Sequence, residues 1–195
     1  MSVSIPKAPG RPRNEAHSDA AKAAALDLLR EQGYAAINME TVAQRSCISR
    51  QTLYRRWPDK RALILDAFAE QAGALPHLPD TGSLEGDLRV LLRATCAVLS
   101  GVCGETNRAL VAEGLHDPAY MTELRERQFV KRRRQVAELF ARARQRGELK
   151  RTDDELLIDL LLGPVWYRLL LQNGPLDDAL ADAAAAAVVR YAAQD

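Results

Sequence analysis

The sequence predicts an all-α chain, with a small N-terminal unit carrying a helix-turn-helix followed by a larger helical bundle. Three observations predict it. Apolar residues recur along most of the 195 residues at the helical period of about 3.6. No stretch alternates with period two for long enough to read as a strand. Gly- and Pro-containing segments cut the chain into helix-sized pieces.

The first helix shows its stripe at Ala21, Ala25, Leu28 and Leu29, with Ser18 as the expected N-cap and Gly33 as the stop. Asn38 caps a short helix through Ser46, and Ser49 caps a second one reaching Arg56. Pro58 breaks the chain, and Asp59 caps a fourth helix running to Gln71. Gly73 to Gly82, with Pro76 and Pro79, has linker chemistry and no period. Beyond it, Leu84, Leu88, Leu91, Leu92, Thr95 and Leu99 place a long amphipathic helix over Ser83–Ser100. A shorter helix is expected over Glu105–Leu115. Asp117-Pro118 opens a long one to Arg146, with Pro118 at the favoured first position. Asp153 caps a helix over Asp154–Leu171, expected to kink at Gly163-Pro164, and Leu176–Ala193 forms an Ala-rich last helix.

Composition narrows the function classes. At 47% hydrophobic and 27% charged residues, the chain has enough apolar material for a sizeable core. The longest internal run without a charge, Ala94–Gly104, is eleven residues, whereas a membrane span needs ~20. The basic N-terminus lacks an apolar segment of signal-peptide type, so a cytoplasmic protein without membrane association is expected. Cys47, Cys96 and Cys103 form no CxxC pair, which disfavours a disulfide scaffold or zinc framework and fits buried thiols in a reducing compartment. His17, His77 and His116 are scattered, and no HExxH, P-loop or strand-linked glycine fingerprint occurs. Asp153-Asp154-Glu155 is explained by helix capping. The expectation is therefore no enzyme, no metal and no cofactor.

Net charge +1 hides an asymmetry. Residues 1–66 hold eleven Lys/Arg and seven Asp/Glu, and the rest of the chain holds sixteen and nineteen. A basic unit joined to a mildly acidic one suggests a nucleic-acid contact at one end. The constellation lies in Met39–Arg56. Two short helices flank Cys47-Ile48-Ser49, Ala43 sits where they must approach closely, and Val42, Ile48 and Leu53 point to a shared apolar junction. In a helix-turn-helix the second helix enters the major groove. Arg50 opens that helix, and Lys60 and Arg61 open the next. Cations at helix N-termini oppose the macrodipole, an arrangement that makes sense where phosphates or guanine edges arrive. Solvated charges at exposed helix ends are the simpler alternative.

Residues Gly10–Phe68, above all Ala43–Leu63, resemble the DNA-binding domain of the TetR family of transcriptional regulators. The Leu53, Tyr54, Trp57, Lys60 spacing and the basic Gly10-Arg-Pro-Arg13 arm carry the resemblance. Leu160–Leu169 resembles, more loosely, a segment of one branch of the family's C-terminal domains. The resemblance implies a flexible arm over 1–13, a DNA-binding domain over 14–74 and a ligand-binding and dimerisation domain over 83–195. It implies that Arg50, Gln51 and Thr52 face bases or adjoining backbone, that Tyr54 and Arg56 reach phosphate or the groove wall, and that Lys60 contacts phosphate. Arg50 could read a guanine bidentately and Gln51 an adenine. Tyr54 is equally a core residue with an exposed hydroxyl, and Trp57 reads as a packing anchor on the fourth helix. Arg11 and Arg13 either enter a minor groove or form a solvated arm. One departure is Cys47, where the family usually has Gly. If φ is positive there, Cys costs about 1–2 kcal/mol that Gly avoids; otherwise the turn differs. Cys47 is also conceivable as a redox trigger.

By the same resemblance, the bundle senses a small molecule and holds a homodimer. Its dimer surface is expected on the last two helices, where Ala183–Ala187 permit close approach, although those alanines could equally pack within one subunit. Cys96, Leu99, Phe129, Trp166 and Leu170 are the candidate pocket residues; each is also ordinary core chemistry. The Lys131–Arg134 run reads as a solvated face balanced by Glu123, Glu126 and Glu138. The expected function is a repressor released from a palindromic double-stranded operator by a small-molecule effector. The alternative is an activator or architectural DNA-binding protein without ligand control.

Overall fold

The computed structural model describes residues 13–73, 78–150 and 153–193. They are helical with no strand among them, and the chain divides into two compact units, Met1–Phe68 and Ala69–Asp195.

The first unit is built by α1 (Arg13–Ala36), α2 (Met39–Ser46), α3 (Arg50–Arg56) and the start of α4 (Lys60–Gly73). Helix α1 begins earlier than the expected cap: Ser18 lies inside it and is buried, because Glu15 and Ala16 extend a favourable helical run upstream. The helical dihedrals break at Gly33, which adopts φ 76° and ψ 170°, a conformation natural only to glycine. Asn38 caps α2 as expected, accepting from the Thr41 N–H at 2.9 Å while Thr41 Oγ1 accepts from the Asn38 N–H at 3.2 Å. Ser49 Oγ accepts from the Thr52 N–H at 3.3 Å, and Asp59 Oδ1 from the Ala62 N–H at 3.0 Å. Ala21, Ala25, Leu28 and Leu29 are all buried, as their stripe predicts, together with Val42, Ile48, Leu53 and Leu63.

The second unit contains α5 (Leu84–Leu99), α6 (Val102–Gly114), α7 (Pro118–Leu124), a π-helical turn at Arg125–Phe129, α8 (Val130–Gln145), α9 (Asp154–Leu171) and α10 (Asp178–Ala192). Its core joins Leu84, Leu88 and Leu92 of α5 to Phe140, Leu157, Leu161 and Val188, with α10 packed on α5 and α9. One expectation needs correction. The rod expected over Pro118–Arg146 carries a widened turn, closed by the Val130 N–H donating to the Arg125 carbonyl. Such a turn has no signature in hydrophobic spacing. Helix α9 runs unbroken through Pro164, so Gly163-Pro164 removes one backbone hydrogen bond without dividing the helix.

A polar tie fastens the start of α5 to the end of α8. Asp87, fully buried, accepts from the Thr81 N–H at 2.7 Å and the Thr81 hydroxyl at 2.9 Å, and pairs with Arg146 at 3.3 Å. Glu148 pairs with Arg146 and accepts from the Leu84 N–H at 2.6 Å.

Candidate nucleic-acid interface

The aim of α3 is fixed by the turn before it. Cys47 adopts φ 55° and ψ 31°, the left-handed conformation, so the Cys stands in the geometry a glycine would favour. The Cys47 N–H donates to the Gln44 carbonyl at 3.4 Å and the Ile48 N–H to the Ala43 carbonyl at 3.1 Å. These two bonds close a Schellman turn. Ile48 and Leu53 then bury against Val42, holding α3 across α2.

The polar face of α3 is presented to solvent. Arg50, Gln51, Tyr54, Arg55 and Arg56 are exposed, Tyr54 to 52%, and Thr52 is half-buried. The exposure of Tyr54 decides against a core position. Arg50 is held from α2: its Nη1 donates to Glu40 Oε2 at 2.6 Å, both side chains being more than half exposed. Such a surface pair contributes little stability, so an incoming acceptor can displace Glu40 readily. Arg56 lies over the Trp57 ring at 5.3 Å. Thr52 Oγ1 is 3.0 Å from Ser49 Oγ, which orients it at the helix start.

Trp57 is 5% exposed, and its indole N–H donates to Asp66 of α4 at 3.1 Å, the packing role its spacing predicts. Lys60 is more committed than expected. Its Nζ donates to the Tyr34 carbonyl at 3.1 Å and sits 4.3 Å from the Tyr34 ring centre, so only part of the ammonium's capacity remains for a phosphate. Arg11 lies outside the described residues, as does the side chain of Arg13.

Further side chains that spacing alone did not single out join this region. Glu40 orients Arg50, a pairing between two helices that only the fold reveals. A cleft of about 300 Å³ behind α3 is lined by His17 and Ser18 of α1 together with Thr52, Arg55 and Trp57. Arg45 and Glu31 form a bidentate pair at 2.7 and 2.9 Å that joins α2 to α1, and the Arg45 hydrogen bond holds Glu31 below the ordinary carboxylate range.

Residues 23–67 match the family described as bacterial regulatory proteins, tetR family. Residues 78–188 match tetracyclin repressor-like, C-terminal domain. This chain belongs to the TetR family. It is a DNA-binding transcriptional regulator and not an enzyme. The HTH-type transcriptional regulator YdeS of Bacillus subtilis (strain 168) is 36% identical over 171 residues, covering 87% of this chain and 86% of YdeS. A DNA-binding transcriptional repressor TetR of Mycobacteroides abscessus is 32% identical, covering 86% and 88%. The crystal structure of the TetR family transcription regulator SCO0332 superposes with a TM-score of 0.78 at 32% identity, covering 90% of this chain and 97% of that one.

In the second unit, the five expected pocket residues do not share one environment. Cys96 is buried, and burial pushes its thiol pKa up. Phe129 and Trp166 are half-buried and meet edge to face with ring centres 5.0 Å apart. Leu99 is half-buried and packed on the core, whereas Leu170 is 40% exposed. The Lys131–Arg134 run is not the solvated face its neighbours predict. Arg133 reaches across to Glu155 and to Asp159 of α9, the latter at 2.7 Å, and Arg132 turns towards α5. Among the described residues, no group of three or more His, Cys, Asp or Glu is placed to hold a metal ion, and no helix is long and apolar enough to cross a membrane.

Proposed function

We propose that this regulator is a homodimeric repressor acting on the chromosome in the cytoplasm, which reads a palindromic operator through α3 and is released by a small molecule bound in its second unit. In this reading residues 1–13 form a DNA-seeking arm carrying Arg11 and Arg13, 14–74 read DNA, and 83–195 bind the effector and the second copy. The observation that carries it is the exposed Arg50, Gln51, Tyr54 face of a helix whose opposite face is locked by Leu53 and Trp57. Arg50 and Gln51 supply the forks that read guanine and adenine edges, with Thr52 at the helix start. Tyr54, Arg56 and Lys60 serve the phosphates.

A palindrome requires two such helices related by a two-fold axis. The support for a dimer through the last two helices is an unpartnered apolar stripe on α9. Leu156, Leu160, Tyr167, Leu170 and Leu171 are 40–61% exposed and recur at helical spacing. Ala183 and Ala187 are exposed on α10, while Ala184 and Ala185 are buried. The alanine run therefore packs within the subunit through Ala184 and Ala185 and leaves Ala183 and Ala187 open to a neighbour. The Mycobacteroides abscessus relative is named a repressor, which supports repression over activation. An effector coupling of about 1–3 kcal/mol suffices for release.

The test is anisotropy titration on DNA selected from random sequence. Arg50→Ala should relax one base position at a cost of about 1–3 kcal/mol. Lys60→Ala should weaken all sequences alike and flatten the salt dependence by about one unit of slope. If no sequence is enriched and neither substitution matters, α3 is not the reader.

A further inference from the structure

Arg132 is the cation of the second unit that the regulator reading leaves unexplained. It sits on the first turn of α8, directly after the π-helical turn, and its side chain is drawn in rather than projected to solvent. Its Nη2 donates to Thr95 Oγ1 of α5 and its Nη1 to Gln135 Oε1 at 3.4 Å. Thr95 spends its own proton on the Leu91 carbonyl at 2.7 Å, so the acceptors offered to Arg132 are neutral. Among the described residues no carboxylate pairs with it. The contrast with its neighbour is sharp, since Arg133 has two carboxylates. Burial lowers the pKa of Arg132, a sign that its charge is desolvated without compensation. A guanidinium tolerates burial when a carboxylate or similar anion satisfies its fork.

A second observation points the same way. Gln128 lies one turn before Arg132 on the π-helical turn, and its side-chain Nε2 is buried with no hydrogen-bond partner. Residues four apart fall near one helix face, which puts this unsatisfied donor on the same side of the helix as the cation. Phe129, which follows Gln128 and precedes Arg132 by three residues, meets Trp166 edge to face. Widened turns of this type concentrate at functional sites; here the extra residue sets Gln128 and Phe129 in the register they hold before Arg132.

We propose that the effector is an amphipathic organic acid, whose carboxylate is received by Arg132 with Gln128 and whose apolar body lies against Phe129 and Trp166. This rests on the reading that the second unit binds an effector, and names the chemistry that effector must have. A neutral or cationic effector would leave Arg132 without a counter-charge.

The test uses the full chain and two matched probe pairs in calorimetric titration: decanoate against 1-decanol, and 2-naphthoate against 2-naphthamide. At least one carboxylate should bind the wild type about tenfold or more tightly than its uncharged partner, the range of a charge-assisted pair. Arg132→Met should erase that preference, and Arg132→Lys should restore part of it. Arg132→Met should also unfold at higher urea than the wild type when no probe is present, since it removes an uncompensated charge of similar length. The proposal is overturned if neither pair is discriminated, or if the preference survives in Arg132→Met. It is overturned equally if that variant sediments as a monomer where the wild type is a dimer, because the counter-charge then comes from a second copy. Should a carboxylate bind through Arg132 and leave affinity for the selected operator unchanged, the acid site stands and release by effector falls.

Discussion

Two arginines of the first unit and two of the second are held in opposite ways. In the first, Arg50 and Arg45 lie at the surface, each paired with an equally exposed acid from another helix, Glu40 and Glu31. In the second, Arg146 closes a tie around a fully buried Asp87, and Arg132 is desolvated against neutral groups alone. Exposed pairs exchange partners at little cost; buried ones resist removal of either member. The exposed pair lets Arg50 exchange Glu40 for another anion, as the proposed DNA contact requires, whereas Arg132 stands among neutral acceptors.

The contrast can be broken most forcefully through the anchors. Trp57→Ala removes a buried indole and its bond to Asp66, and should destabilise the first unit by about 3–5 kcal/mol. Urea unfolding followed by circular dichroism measures it. A loss below about 1 kcal/mol would mean that α3 is not held by Trp57. Asp87→Ala should cost about 1–3 kcal/mol, because it leaves the Thr81 N–H without its acceptor and takes from Arg146 one of its two carboxylates, Glu148 remaining. Arg50→Ala, which breaks a surface pair, should leave the same urea midpoint nearly unchanged while weakening operator binding. If the two substitutions cost alike, the distinction between exchangeable and structural arginines fails.

How much of this was legible in the sequence follows the same division. The caps Asn38, Ser49, Asp59 and Asp153 were readable because each satisfies donors within its own turn, a relation fixed by spacing. The junction of Val42, Ile48 and Leu53 was readable for a similar reason: a tight turn forces neighbours in sequence to meet. Partners that lie far apart in the chain were not. Glu40 with Arg50, Lys60 with Tyr34 and Arg132 with Thr95 all join different elements. Local spacing alone assigns the run Lys131–Arg134 to its helical neighbours. The fold instead draws Arg133 to α9 and Arg132 to α5. Pocket residues were the least legible, because leucines and aromatics line a core and a cavity alike.

Acid sharpens the comparison with a smaller effect. The Leu84 N–H bond outweighs burial and, with Arg146, holds Glu148 below its ordinary value of 4.5. A carboxyl whose pKa is lowered by folding stabilises the fold above its unfolded pKa, and that contribution is lost as pH falls through the folded value. Stability of the second unit should therefore decline below about pH 4.5, and Glu148→Gln should flatten the decline while lowering the midpoint at neutral pH. Urea midpoints taken across that interval decide it. A slope unchanged by the substitution would assign the acid sensitivity elsewhere, for example to Asp182, which Arg93 also holds low.

The smallest effect isolates the turn itself. Cys47 is exposed and left-handed, and its thiol makes only a long contact of 4.0 Å with the Gln44 carbonyl. Little but the backbone should register a change there. Cys47→Gly should raise stability by about 1 kcal/mol, the relief of left-handed strain less the entropy a glycine loses on folding. Cys47→Ala keeps a Cβ at the same φ and should be nearly neutral. The difference between the two variants, read as urea midpoints, separates backbone strain from the loss of a thiol. If alanine stabilises as much as glycine, the thiol was the liability and the strain argument is wrong. If glycine also leaves operator affinity unchanged, the turn holds the aim of α3 without help from the residue that occupies it. The Schellman bonds from Cys47 and Ile48 back to Gln44 and Ala43 are made by backbone atoms that any residue supplies, so that is the expected result.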